Sequence, residues 1–107
     1  MNRHKTVLAT LAFVGLATCT VLAQSSGADV YKSKCAMCHA ADGSASSPAG
    51  KAMKVPSFLT PEAKKASTAD YIATVKNGKG KMPAYASKLT GPEIAGVVAY
   101  IRTLQKK

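Results

Sequence analysis

Cys35, Cys38 and His39 have the most distinctive chemical spacing in this sequence, since they form the pattern C-x-x-C-H. Positions i and i+3 of a helical turn project from one face, so both thiols can reach the two vinyl groups of one porphyrin. The adjacent imidazole then lies under the iron, where a neutral ring nitrogen can coordinate it. The pattern is the attachment signature of haem c, and it predicts one covalent haem whose iron is bound by His39.

Three other uses of the two cysteines fit the sequence less well. A thioredoxin-type site is expected within a βαβ unit, and no such unit is visible. Zinc needs four protein ligands, or three and a water, but His39 is the only histidine after residue 23. A structural disulfide would leave the neighbouring histidine and the export signal described below unexplained.

The iron needs a second axial ligand from elsewhere in the chain, and the alternatives are a methionine, a lysine or an open position. Met37 lies within the attachment turn, on the same side as His39, and cannot reach the opposite face. Met53 and Met82 both lie in irregular segments. Met82 is favoured, because a Gly/Lys loop that ends in Met-Pro can lay its side chain against the haem. Either methionine could instead fill the core.

Residues 1–23 predict a cleavable signal peptide. Arg3 and Lys5 precede an uncharged, mostly apolar stretch that ends in small residues at Ala23. This stretch is shorter than the ~20 apolar residues of a membrane-spanning helix. Residues 16–19 resemble a lipoprotein box with an unfavourable threonine before the cysteine, so lipidation of Cys19 stays open. The expected product is a single domain, residues 24–107, in the periplasm or an equivalent lumenal space, without stable membrane insertion.

The strongly basic composition predicts acidic partners. The net charge is +10, and loss of Arg3 and Lys5 with the signal peptide lowers it to +8. Several lysines are expected around an exposed haem edge, where they would steer acidic redox proteins: Lys51, Lys54, Lys76, Lys79, Lys81 and Lys88. Nucleic acid is disfavoured as a partner, because the chain is exported and carries no binding motif. Two Phe and no Trp give a small core, which a haem would complete.

The elements that must position these residues are all helical, since no segment alternates with period two. Helices are predicted over residues 29–35, 61–66, 68–77 and 91–104, with loops over 42–50 and 77–83. The last helix has the clearest signal: Thr90 and Glu93 form a capping box. Apolar residues then recur at i, i+3, i+4 and i+7. The predicted fold class is all-α, with the helices wrapped around one haem.

In the order and spacing of these features, residues 24–107 resemble the class I bacterial monohaem cytochromes c. The similarity is to the short type that includes cytochromes c6, c551 and c553. It rests on the segment from Val30 to His39, on Lys81-Met82-Pro83 and on the helix over 90–104. Residues 40–66 depart most from any one subgroup.

The resemblance implies an electron carrier, expected to be monomeric, rather than an enzyme. Its donor and acceptor would be proteins such as a dehydrogenase, a bc-type complex or a terminal oxidase. It also implies that the carbonyl of Pro48 accepts a hydrogen bond from His39, with Pro56 as a competitor, and that Gly27 or Ala28 packs against Tyr100. The alternative function is a peroxidase-like haem enzyme or gas sensor with a weak or open distal site.

Overall fold

The computed structural model describes Thr10, residues 12–15 and residues 25–107. The predicted signal peptide falls almost entirely outside these residues, as do its cleavage site after Ala23 and the thiol of Cys19. Among the described residues, no helix is long and apolar enough to cross a membrane.

The cysteine motif lies at the end of a continuous helical segment. Helix α1 (Gly27–Val30) continues as a π-helical stretch (Tyr31–Cys35) and then as α2 (Ala36–His39). The segment begins two residues earlier than predicted, because the Ser26 hydroxyl accepts a hydrogen bond from the Asp29 amide and caps it.

Two short helices follow, and the sequence predicted only one of them. Helix α3 (Pro48–Ala52) lies partly within the predicted loop 42–50 and corrects it. Ser47 caps α3 and Pro48 is its first residue, which is a normal helix start within a loop-like composition. Helix α4 (Pro61–Lys65) lies within the predicted range 61–66 and is capped by Thr60.

The two longer helices confirm their predicted signals. Helix α5 (Thr68–Asn77) is capped by Ser67 and ends at Gly78, whose φ of 72° favours glycine. Helix α6 (Gly91–Leu104) begins at the Thr90–Glu93 capping box. The described residues contain no strand, only an isolated bridge between Lys79 and Met82. The all-α fold class is confirmed.

The core lies where the N-terminal helical segment and α5 pack against α6. Its buried side chains come mainly from α6: Val30, Tyr31, Val75, Ile94, Val97, Val98, Ile101 and Leu104. Gly27 is the small residue of the α1–α6 crossing, since a methyl group on it would lie under 3.0 Å from the Gly96 carbonyl oxygen. The same methyl group would lie 3.3 Å from Tyr100 Cβ. The predicted packing of Gly27 against Tyr100 is confirmed.

The C-terminal end of α6 is tied to the middle of the chain by hydrogen bonds. The buried Gln105 side chain donates from Nε2 to the Phe58 carbonyl (3.0 Å) and to the Tyr71 hydroxyl (2.9 Å). Arg102 lies over the Tyr71 ring, 4.4 Å from its centroid, and donates to the Ala66 carbonyl. These contacts hold the segment that carries Phe58 against one wall of the site described next.

Candidate haem site

A large apolar cavity opens between three parts of the chain. These are the continuous helical segment Gly27–His39, called the cysteine helix below, helix α5, and the loop that follows α5. The cavity volume is about 990 Å³, at the upper end of the roughly 300–1,000 Å³ typical of ligand sites. Cys35, Cys38, His39 and Met82 all line this one cavity, together with apolar side chains such as Val75. The structure therefore brings together the attachment motif and the favoured distal methionine, which are more than 40 positions apart in the chain.

The two cysteines are half-buried at the edge of the cavity and both are free thiols. Cys35 lies where the π-helical stretch ends and α2 begins, with a φ of −115° that departs from regular helix. Local π-helical geometry occurs frequently at functional sites. Burial raises the pKa of the Cys35 thiol to about 11. Both thiols face the same apolar space, as attachment to one porphyrin requires.

His39 has the features of an unused metal ligand. Burial lowers the pKa of its imidazole below the ordinary value of 6.5, so the ring is neutral near neutral pH. A neutral imidazole carries the nitrogen lone pair that iron needs. Its Nδ1 atom is buried without any hydrogen-bond partner among the described residues; if the other ring nitrogen binds iron, Nδ1 is the one that needs a hydrogen-bond acceptor. The Phe58 ring stacks on the imidazole, with ring centroids 4.3 Å apart.

The turn after His39 is held by its backbone. The His39 carbonyl accepts from the Ala45 amide (2.8 Å), and the Ala40 carbonyl accepts from the Tyr31 hydroxyl (2.6 Å). Ala40 ends the helix in a left-handed conformation with a φ of 64°, a strained position for a residue other than glycine. Ser47 donates to the Met37 carbonyl (2.7 Å) and thereby joins α3 to the attachment turn. The backbone on both sides of His39 is thus held by hydrogen bonds, at Met37 before it and at Ala40 after it.

Pro48 does not accept the hydrogen bond expected of it in this structure. It is the first residue of α3, it is absent from the cavity lining, and His39 Nδ1 has no partner. Pro56, the competitor, does line the cavity. In the haem-bound protein Nδ1 would need a hydrogen-bond acceptor, since metal-bound imidazoles almost always donate through their other nitrogen. The role of Pro48 stays a prediction.

The methionines separate according to their position. Met37 is 79% exposed and lies outside the cavity lining, in agreement with its exclusion as a ligand. Met82 is half-buried and packs against the core cluster. Met53 is 38% exposed but also lines the cavity. Met82 remains the favoured ligand, and Met53 remains the alternative.

Lysines outnumber acids among the residues that line the cavity, where Asp70 also lies. Lys54, Lys79 and Lys81 line it, whereas Lys51, Lys76 and Lys88 are exposed and lie outside the lining. Lys34 also lines the cavity and was missed, although its position directly before Cys35 was a usable signal.

The zinc alternative gains no support. No three His, Cys, Asp or Glu side chains converge on a metal-sized site anywhere in the part of the chain that is described. The residues present fit a haem instead: an apolar cavity lined by two thiols, an imidazole and a thioether.

Comparison with known proteins gives a consistent result. A family model described as cytochrome c oxidase, cbb3-type, subunit III matches residues 23–101. The cytochrome c6 of Bryopsis maxima is 39% identical over 77 residues, which cover 70% of this chain and 84% of that protein. The cytochrome c6 of Picosynechococcus sp. is 35% identical over 101 residues, covering 90% of this chain and 85% of that protein.

Solved structures give the same picture at the level of the fold. The c-type cytochrome KustC0563 superposes with a TM-score of 0.70 at 25% identity, covering 76% of this chain and 99% of that one. Cytochrome c6C from Synechococcus sp. PCC 7002 superposes with a TM-score of 0.61 at 29% identity, covering 78% of this chain and 99% of that structure.

Proposed function

Because the chain belongs to the small monohaem class I cytochromes c, we propose that four of its side chains hold the haem through which it carries electrons. Cys35 and Cys38 form the two thioether bonds, His39 is the proximal iron ligand and Met82 is the distal one. One observation carries the assignment: all four side chains line the same apolar cavity.

As a member of this family the protein is an electron carrier with one covalent haem c and its iron. When bound, the haem supplies one-electron chemistry through the Fe(II)/Fe(III) couple. The protein transfers electrons between a donor and an acceptor and is not an enzyme. The peroxidase or gas-sensor alternative is not favoured, since the relatives are carriers.

The protein's own residues set the conditions for this chemistry. A thioether at the distal position favours the reduced state, and apolar walls such as Val75 and Phe58 disfavour the extra charge of the oxidised one. Both effects raise the reduction potential. If His39 and Met82 both held the iron, oxygen and peroxide would find no free position on it. The hydrogen bonds from the Tyr31 hydroxyl to the Ala40 carbonyl and from the Ala45 amide to the His39 carbonyl fix the backbone that carries the imidazole.

The finer assignments of partner and location belong to the same proposal. Lys34, Lys54, Lys79 and Lys81 line the cavity where electrons would enter or leave. They suit acidic partner surfaces and raise association rates more than affinity. We expect removal of residues 1–23 during export, a periplasmic or lumenal location, and a monomeric protein.

Covalent attachment is tested by expressing the full chain with haem-attachment machinery and recording a pyridine haemochrome spectrum. The expected spectrum is that of a haem with two thioether bonds, and the intact mass of the exported protein should include one haem. Cys35→Ala and Cys38→Ala should each give a one-thioether spectrum or lose the haem. Exported protein without covalent haem would contradict the proposal.

A further inference from the structure

The loop that carries Met82 is built on α5. Lys79 and Met82 exchange two backbone hydrogen bonds (3.1 and 3.0 Å), and the Tyr85 amide donates to the Val75 carbonyl (2.9 Å). At Gly78, a methyl group would lie under 3.0 Å from the Met82 carbonyl oxygen, so the base of the loop is tightly packed. These contacts give the loop its shape, but they connect it only to itself and to α5.

One hydrogen bond joins this loop to the cysteine helix. The Tyr85 hydroxyl donates to the Lys34 carbonyl at 3.2 Å, across 51 residues of sequence. Within the described residues, no other hydrogen bond links residues 78–89 with residues 25–40. The acceptor belongs to the π-helical stretch and directly precedes Cys35.

The location of this bond matters for the proposed ligand. Tyr85 lines the cavity three residues after Met82, and Lys34 lines it beside the first cysteine. The bond therefore joins the segment that carries Met82 to the segment that carries the attachment motif. The Lys88 ammonium lies 5.5 Å from the centre of the Tyr85 ring and packs on its face.

We propose that Tyr85 is a positioning residue that fastens the Met82 loop to the cysteine helix and slows dissociation of Met82 from the iron. This inference rests on the proposed ligation by Met82. Apolar packing of Met82, Tyr85 and Leu89 against the core also holds the loop, so the hydroxyl adds a local restraint to a loop that is already folded. Its loss should change how often the loop opens, with little effect on the fold.

The test measures the rate at which added imidazole replaces Met82 in the oxidised holoprotein. Loss of the long-wavelength sulfur-to-Fe(III) absorption band monitors this replacement. At saturating imidazole the rate reports loop opening. Tyr85→Phe keeps the ring and removes only the hydroxyl. We expect the rate to rise roughly two- to tenfold, the effect of one ordinary hydrogen bond. Tyr85→Leu should react at least as fast, and it replaces Tyr85→Phe if that variant yields no holoprotein.

Two control variants separate local from general effects. Tyr100→Phe removes a hydroxyl without a partner among the described residues, from a ring that packs on Tyr31. Thr60→Ala removes the cap of α4 and weakens the fold away from the loop. Both should leave the rate within twofold of the wild-type value.

The possible failures are distinguishable. If the wild type and Tyr85→Phe both show the band and react with imidazole at equal rates, the positioning role is overturned while ligation by Met82 stands. If Thr60→Ala accelerates the reaction as much as Tyr85→Phe, general stability accounts for the effect and the proposal fails. If the wild type lacks the band, ligation by Met82 fails and the role of Tyr85 fails with it.

Discussion

Tyr31 links the core to the turn that positions His39. Its side chain is fully buried, and its hydroxyl donates to the Ala40 carbonyl directly after the histidine. Burial raises the pKa of this phenol well above its ordinary value of 10.0. The folded protein therefore holds the proton more tightly than the unfolded chain does. This contribution to stability is complete below pH 10 and is lost as the pH rises above it.

We predict two opposite effects of Tyr31→Phe on the holoprotein. At neutral pH the free energy of unfolding should fall by about 1 kcal/mol, because the Ala40 carbonyl loses its partner. Above the ordinary tyrosine pKa of 10.0, the variant should lose stability less steeply than the wild type. Denaturant unfolding at several pH values measures both effects. An identical alkaline slope in the two proteins would contradict the role of the buried phenol.

The site residues that the sequence predicts and those that it does not differ in the sequence separation of their contacts. Cys35, Cys38 and His39 are recognisable because their chemistry requires neighbouring positions along one chain segment. Tyr85 and Phe58 act through contacts with residues 51 and 19 positions away, respectively. No local spacing encodes such contacts, so only the folded chain reveals them.

Helix starts depend on local signals, but local composition can hide them. The Thr90–Glu93 capping box was predictable because both of its hydrogen bonds form within one turn. Helix α3 has an equally local start at Ser47, but its Ser/Pro/Gly-rich surroundings have the composition of a loop. The cap should have outweighed the composition.

The crossing of α1 and α6 depends on one glycine more than on the other. A methyl group at Gly27 would lie under 3.0 Å from Gly96 backbone atoms, whereas one at Gly96 would have its nearest neighbour at 3.9 Å. Gly27→Ala should therefore lower the free energy of unfolding by about 1–3 kcal/mol, as overpacking does. Gly96→Ala is the matched control.

Gly96→Ala should be neutral or stabilising by up to about 1 kcal/mol, because alanine favours the helix interior. Thermal and denaturant unfolding of the two holoproteins give the comparison. Equal destabilisation by both substitutions would show that the crossing does not depend on Gly27.

At the scale of the whole molecule, the effect of the excess positive charge on reaction rates should depend on where the lysines lie. Lys34, Lys54, Lys79 and Lys81 line the cavity, while Lys106 is exposed near the C terminus. An anionic reactant should be steered to the cavity mouth, and salt should weaken this steering.

We predict that the rate of oxidation of the reduced protein by ferricyanide falls as ionic strength rises. The double variant Lys54→Glu/Lys81→Glu should react at least about tenfold more slowly at low salt, while Lys106→Glu should remain close to the wild type. Stopped-flow measurements over a range of salt concentrations provide the test. Equal rates and equal salt dependence in both variants would contradict a localised charge effect.

The central claim, that the haem lies between His39 and Met82, is tested most directly by the absorption spectrum of the oxidised protein. The wild type should show the weak long-wavelength band of sulfur-to-Fe(III) ligation. Met82→Ala should abolish the band, and Met53→Ala, which removes the other cavity methionine, should retain it. Persistence of the band in Met82→Ala would contradict the account, as would a wild type that lacks the band and binds carbon monoxide readily when reduced.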